Sequence, residues 1–286
     1  MVRKVYTTPE EFHEQNRLLE LDLPFSEDLS VLNTVLPIGN QVIPNRLACQ
    51  AMEGCDGTKD GRPDELTIRR YDRFARGGAG TIWFEATAVM EEGRANPRQL
   101  WIYKENLDAF KRHVERIKEM GLKENGYAPV VIMQATHSGR YSKPHGVPAP
   151  IIAYNNPIFE KDNPIPSDRI VSDDYLDRVG EALVKGAILA EKAGFDGVDI
   201  KCCHRYLNSE LLSAYNRNGR YGGSLENRTR LLRESVIGAI ENCSKDFIVS
   251  SRLNVYDGFV YPYGFGVKNN GSLDFDGAEP DWLIKE

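Results

Sequence analysis

The chain has 286 residues, 41% of them hydrophobic and 27% charged, with a formal net charge of −6. That length can bury a sizeable core, and that balance is ordinary for a globular, mildly acidic protein, for which the cytoplasm is the expected location. Acids and bases are scattered along the whole length, with no basic block, zinc-finger spacing or aromatic–basic interleaving, so no nucleic-acid partner is expected.

In chain order, Met1–Phe25 lacks the apolar core of a signal peptide. No later run approaches the ~18 apolar residues of a membrane span, so no membrane partner is expected. Val35–Pro44 reads as a hairpin with Gly39-Asn40 at its turn. Arg46–Cys49 is the first short apolar run of β type. A helix from about Asp64 to Arg76 stops at Gly77-Gly78. Gly80–Glu85 is the second run, a helix over Glu105–Met120 ends at Gly121, and Pro129–Gln134 is the third run. The Pro-rich connection that follows, to about Ile170, is too long for a plain turn and reads as functional or as a flap. Ser172-x-x-Tyr175 opens a helix that runs to Lys192 and ends at Gly194. Phe195–Ile200 is the fourth run, a helix spans about Ser224 to Asn242, and Phe247–Ser251 is the fifth run. From Gly258 the chain reads as a loop, then a sixth helix-like segment over Pro280–Glu286. Cys49, Cys55, Cys202, Cys203 and Cys243 are odd in number and form no Cys-x-x-Cys pair, which reads as reduced thiols and no metal site.

Alternating strands and helices imply a parallel sheet with crossover helices. An open dinucleotide-binding sheet is disfavoured, because no G-x-G-x-x-G follows the first strand. Glu85, Gln134, Lys201 and Arg252 each stand where an apolar run gives out. In a barrel those carboxyl ends converge on one face, where active sites are built. The expected fold is therefore α/β, of the (β/α)8 TIM-barrel type but incomplete: one domain over residues 1–286, with about five βα units and an N-terminal hairpin, lacking the last strands of the eight.

Several motifs occur in order: Ile43-Pro-Asn-Arg46, Gln134-x-x-His137-x-Gly-Arg140, Gly194-Phe-Asp-Gly-Val-Asp-Ile200, His204-x-Tyr206-Leu207 and Tyr221-Gly-Gly-Ser-Leu-Glu-Asn-Arg228. Over roughly residues 30 to 255 the chain thereby resembles the Old Yellow Enzyme family of FMN-dependent ene-reductases and NADH:flavin oxidoreductases, including its 2,4-dienoyl-CoA reductase-like branch. The Tyr221–Arg228 segment is the most specific of these matches. Its Gly-Gly turn and Ser224 N-cap read as structural, with Glu226 and Arg228 pinning the loop by ion pairs.

The resemblance implies FMN as cofactor, NAD(P)H as reductant and a small-molecule substrate, an activated alkene of enoyl or enone type. It implies that the Gln134 amide, a donor and acceptor together, holds the flavin O2 and N3. It places the Arg252 charge near N1–C2=O, where it stabilises the reduced ring. Ala86 resembles the small residue that lets backbone approach the flavin. Lys201 and His204 would grip the substrate oxygen and Tyr206 would donate the proton, while His137 and Arg140 position the loop after the third strand.

There are departures from the family pattern. Lys201 stands where the family has His; an ammonium still donates hydrogen bonds but adds full charge from a looser stem, which suggests a substrate bearing an anionic group. Gln50-Ala51-Met52-Glu53 stands where the family often has Ala-Pro-Met and then Thr or Cys near the flavin C4=O. A carboxylate at Glu53 would disfavour reduced flavin and lower its potential, and Cys55 would compensate if the register slips. The loops after strands seven and eight, which hold the FMN phosphate in such barrels, have no counterpart in the sequence, nor do the iron–sulfur cysteines and further domains of the dienoyl-CoA reductase branch. The alternative is a truncated, inactive barrel fragment whose open edges need a further segment or a partner chain; a homo-oligomer is one such outcome. A hydrolase using Glu53 and Glu85 as a carboxylate pair is disfavoured, because it leaves Gln134, Tyr206 and the Tyr221 segment unexplained.

Overall fold

The computed structural model describes residues 5–272. Strands β1 (Leu36–Ile38) and β2 (Gln41–Ile43) pair antiparallel about a Gly39-Asn40 turn, with Ile38 opposite Gln41. Strands β3 (Ala48–Cys49), β4 (Thr81–Ala88), β5 (Val130–Thr136), β6 (Gly197–Ile200) and β7 (Ile248–Ser250) form one sheet in that order, every neighbouring pair parallel. The helices are α1 (Pro9–Leu18), α2 (Glu65–Arg76), α3 (Leu107–Asn125), α4 (Pro157–Glu160), α5 (Asp173–Lys192), α6 (Leu207–Leu211), α7 (Leu225–Arg228) and α8 (Arg230–Asn242). Sequential strands that lie side by side, with helical crossovers, describe the arc of a βα-barrel from β3 to β7.

Side chains alternate between the two faces of each strand, and the two faces have different partners. Ile82, Phe84, Val131, Met133, Val198 and Ile200 point outward and merge with Phe110, Ile117, Leu176, Leu183 and Leu231 of the helices into the main core. The inner face carries Val130 and Ile132, which pack with Trp83, Ile248 and the hairpin residues Leu36 and Ile43. The hairpin therefore floors the amino ends of the strands. Asn40 reinforces this by donating to the Asp246 carboxylate at 2.6 Å, just ahead of β7.

Several elements depart from the sequence expectation for identifiable reasons. Strands β4 and β5 continue past Glu85 and Gln134, because the inner face accepts polar side chains and the backbone ladder does not stop at them. A bulge between Phe84 and Thr87 then re-aims the end of β4. Gly121 does not end α3. It lies against Pro129, where a Cβ would come within 2.5 Å of the proline ring, and the helix ends instead at the left-handed Gly126. The predicted helix over 224–242 divides at Thr229 into α7 and α8. Helix α1 was not anticipated, although Thr8 caps it and Pro9 stands in its first turn. The segment Pro280–Glu286 lies outside the described residues.

Gly197 begins β6 where a Cβ would stand 2.6 Å from the Ile248 carbonyl oxygen. Gly197→Val should therefore overpack the β6–β7 contact and lower unfolding stability by about 1–3 kcal/mol in urea titration. Unchanged stability would mean that the two strands are not this close.

Candidate active site

The centre of the inner face is a buried carboxylate. Asp199 of β6 is fully shielded from solvent, and Gln134 of β5 is its partner across the ladder. One Asp199 oxygen accepts from Trp83 Nε1 at 2.8 Å and from Gln134 Nε2 at 2.6 Å. The other accepts from the Arg252 backbone N–H at 2.7 Å. A carboxylate out of water requires such donors. Because a carboxylate only accepts, the Gln134 amide must present its NH2 to Asp199, which leaves its oxygen and one N–H for other partners. The Arg252 side chain is exposed and makes no hydrogen bond or ion pair with a described residue. Asp199 and Trp83 were not singled out from the sequence. The available signal was an acid inside an apolar strand run, which cannot stay buried without partners.

Immediately beyond β6 is a second cluster. The Lys201 side chain is only 3% exposed, and its ammonium lies 3.4 Å from Glu53 Oε1. The same oxygen accepts from the Tyr206 hydroxyl at 2.9 Å. The ammonium also stands over the Tyr206 ring, 3.8 Å from its centroid, in cation–π contact. Burial pulls the Lys201 pKa down, with Glu53 opposing. Burial pushes the Tyr206 phenol far above its ordinary range, and the Glu53 charge adds to this. The two residues that depart from the expected pattern, Lys201 and Glu53, thus meet each other.

His204 and Arg205 carry φ of +60° and +54°. Neither is glycine, so the turn holds local strain, of the kind that persists only where neighbours fix it. Arg205 supplies that fixation: its guanidinium pairs with Asp257 at 2.6 Å and reaches Ser213 at 3.2 Å. His204 is the exposed residue of the turn, its ring 6.4 Å from that of Tyr206; partial desolvation on its protein-facing side, with the charges of Lys201 and Arg252, lowers its pKa. His204 and Tyr206 border a cavity of about 590 Å³, walled by Ala95, Tyr141, Lys143 and Pro148.

The loop that carries Ala51, Met52 and Glu53 follows β3 and is clamped from below. Glu85 is fully buried; it accepts from the Gly54 N–H at 2.9 Å and from Arg70 at 2.6 Å. Arg70 also reaches the Met52 carbonyl at 3.4 Å and Asp56 at 2.9 Å. Glu85 is therefore a strand-interior anchor for the Glu53 loop. With Glu53 held by Lys201 and Tyr206, neither acid is free to serve in a hydrolytic pair. Met52 is 68% exposed, whereas Ala86 lies inside β4 at the bulge and is buried.

The long connection after β5 is tied down. Gly139 N–H donates to His137 Nδ1 at 3.1 Å, so Nε2 carries the proton and donates to Tyr175 Oη at 2.8 Å. Arg140 is buried between Glu160 and Glu210, and Glu210 accepts from the Ala153 N–H at 2.7 Å. Arg228 in turn bonds the Gly223 carbonyl at 3.0 Å and stands over the Tyr215 ring, so this segment braces the loop rather than facing the cavity. Among the described residues, no group of three or more His, Cys, Asp or Glu is placed to hold a metal ion, and no helix is long and apolar enough to cross a membrane.

Residues 33–264 match the family model described as the NADH:flavin oxidoreductase / NADH oxidase family. An NADPH dehydrogenase of Halalkalibacterium halodurans is 36% identical over 181 residues, covering 62% of this chain and 50% of that one. An NADPH dehydrogenase of Clostridium acetobutylicum is 28% identical over 235 residues, covering 82% of this chain and 66% of that one. The chain thus spans between half and two thirds of the length of these relatives. Among solved structures, an Old Yellow Enzyme from Pichia superposes with a TM-score of 0.66 at 25% identity, covering 80% of this chain and 61% of that one. Morphinone reductase in complex with tetrahydroNAD superposes with a TM-score of 0.63 at 25% identity, covering 77% and 63%.

Two measurements test the site's electrostatics. Glu53→Gln should cost about 1–3 kcal/mol, because it leaves a buried ammonium without its anion. The Glu53→Gln/Lys201→Met double variant should lose less than the sum of the single changes, with a coupling of about 0.5–3 kcal/mol; additive losses in urea titration would mean that the pair does not interact. Burial also holds His137 down to about 4 from its ordinary 6.5. Between these values the unfolded chain binds the proton that the folded ring refuses, so this contribution is complete above pH 6.5 and is lost as pH falls toward 4, up to about 3 kcal/mol. His137→Gln should flatten that part of the stability–pH profile, and parallel profiles would contradict the buried neutral ring.

Proposed function

The chain belongs to the NADH:flavin oxidoreductase / NADH oxidase family, and from that premise we propose that it serves as an FMN-dependent NAD(P)H oxidoreductase acting on an alkene conjugated to a carbonyl or similar group. What supports this reading is that Gln134 lies near the carboxyl end of β5, Lys201, His204 and Tyr206 follow β6 and Arg252 follows β7, with His204 and Tyr206 bordering a cavity.

The residues suit the polar edge of an isoalloxazine ring. Gln134 has an amide oxygen and one N–H remaining after its bond to Asp199, which matches a ring edge that offers both an N–H and carbonyl oxygens. The Arg252 backbone is fixed by Asp199 while its guanidinium has no partner among the described residues, which favours a ring that gains negative charge. Ala51, Met52 and Ala86 are assigned to the same cofactor by resemblance; the anchoring of the Glu53 loop by Glu85 and Arg70 supports a fixed backbone there. When bound, FMN supplies hydride transfer between the nicotinamide and the alkene.

The chain's own residues then polarise and protonate. His204 and the remaining N–H groups of Lys201 donate to the oxygen of the electron-withdrawing group. Tyr206 is kept in its protonated form by burial and by Glu53, the state required of a general acid, and it delivers its proton to the α-carbon. Because Glu53 matches the charge of Lys201, a neutral carbonyl or nitro oxygen suits this site better than the anionic group that the lysine alone suggests.

Anaerobic addition of NADPH to the chain with saturating FMN should bleach the long-wavelength flavin band, and an enone should restore it. Tyr206→Phe should slow the restoration by about 100-fold or more, with a far smaller effect on bleaching. No bleaching, or restoration at the wild-type rate in the variant, would overturn the reading.

A further inference from the structure

We infer that Glu53 and Lys201 return to Tyr206 the proton it delivers, so that the three side chains act as a relay; this rests on the reading of Tyr206 as the proton donor. The geometry is a triangle. Glu53 Oε1 accepts from Tyr206 Oη at 2.9 Å and from Lys201 Nζ at 3.4 Å, so one oxygen bridges two proton-bearing atoms. Among the described residues Glu53 alone hydrogen-bonds the Tyr206 hydroxyl. The ammonium lies 3.8 Å from the phenol ring centroid, where it faces any charge that develops on the ring.

The steps balance without a further reagent. The Tyr206 O–H bond breaks, its electron pair stays on the oxygen, and the proton forms the new C–H bond of the product. An N–H bond of Lys201 then breaks, its electron pair staying on nitrogen; the proton passes to Glu53 Oε1 and from that oxygen to the phenolate. Tyr206 is neutral again, Glu53 is again a carboxylate, and Lys201 is left as an amine. The amine regains a proton from water through Glu53, whose side chain is 18% exposed against 3% for Lys201. The direction of transfer is consistent with the two environments: burial makes Lys201 a stronger acid, while burial and Glu53 make Tyr206 a weaker one.

Other groups face this unit. The rings of Tyr141 and His204 have centroids 5.6 and 6.4 Å from that of Tyr206, Cys55 acts on the phenol electrostatically, and Cys203 and Asp199 act likewise on Lys201. Among the described residues Glu53 bridges the Tyr206 hydroxyl and the Lys201 ammonium by hydrogen bonds, as none of these does. Arginine in place of Lys201 supplies the contrast a relay needs, because it keeps the positive charge but does not release its proton.

The test labels the tyrosines of the full chain with 13C at Cζ, assigns Tyr206 with Tyr206→Phe, and follows its resonance to alkaline pH. The wild-type signal should stay put well beyond pH ~10, where a free phenol ionises. Glu53→Gln should bring the ionisation down by at least about one unit, a tenfold shift, and Lys201→Met should move it the opposite way. A Tyr206 titration identical in all three proteins overturns the relay, and this measurement needs no flavin. Turnover with FMN, NADPH and an enone adds a second arm. Lys201→Arg should lose at least tenfold, as Lys201→Met does, whereas rescue by arginine reduces Lys201 to a fixed charge and overturns the relay alone. Wild-type turnover in Tyr206→Phe would instead remove the reading on which the relay rests.

Discussion

An ammonium group shielded from water needs an anion near it, and the ammonium of Lys201 has Glu53. Much of the site follows from that requirement. Glu53 stands on a loop with no strand of its own, so its position is fixed from beneath: Glu85 takes the Gly54 N–H, and Arg70 spans Glu85, Asp56 and the Met52 carbonyl. With the carboxylate fixed, the Tyr206 hydroxyl has one acceptor among the described residues. The buried Arg70–Glu85 clamp is thus a support for the loop that carries Glu53.

Asp199 plays the corresponding part for the neighbouring strands. It ties Trp83 of β4, Gln134 of β5 and the backbone N–H of Arg252, just after β7, to one carboxylate, so four successive strands are registered at one level. Just beyond it the chain turns through two left-handed, non-glycine residues. That strain is stored where Arg205 is gripped by Asp257, and it leaves His204 outward at the cavity.

The parts of this arrangement that are local were legible in the sequence. Alternation of apolar runs with helical stretches gave the parallel sheet, Gly39-Asn40 gave the hairpin, and short motifs pointed to Gln134, His204, Tyr206 and Arg252. Both departures, Lys201 and Glu53, stood out as residues at odds with a pattern. That they pair could not be read, because they are 148 residues apart and only the return of the sheet brings them together. The same holds for Trp83 and Asp199, separated by 116 residues. Polar residues inside strands misled in the other direction. Glu85 and Gln134 looked like the ends of apolar runs because the inner face of a barrel tolerates what an ordinary core does not. Gly121 looked like a helix stop because a glycine required for close packing against Pro129 is indistinguishable, in sequence, from one required for a turn.

Lys201 and Glu53, each at odds with the expected pattern when taken alone, stand together as an ion pair. The most direct examination of this is a crystal structure of the chain at neutral pH, at a resolution that defines side-chain positions. The account predicts a single Glu53 oxygen within hydrogen-bonding reach of both the Tyr206 hydroxyl and the Lys201 ammonium, with the ammonium against the phenol ring. A Glu53 side chain turned out to solvent, with Lys201 paired to another acid, would contradict it.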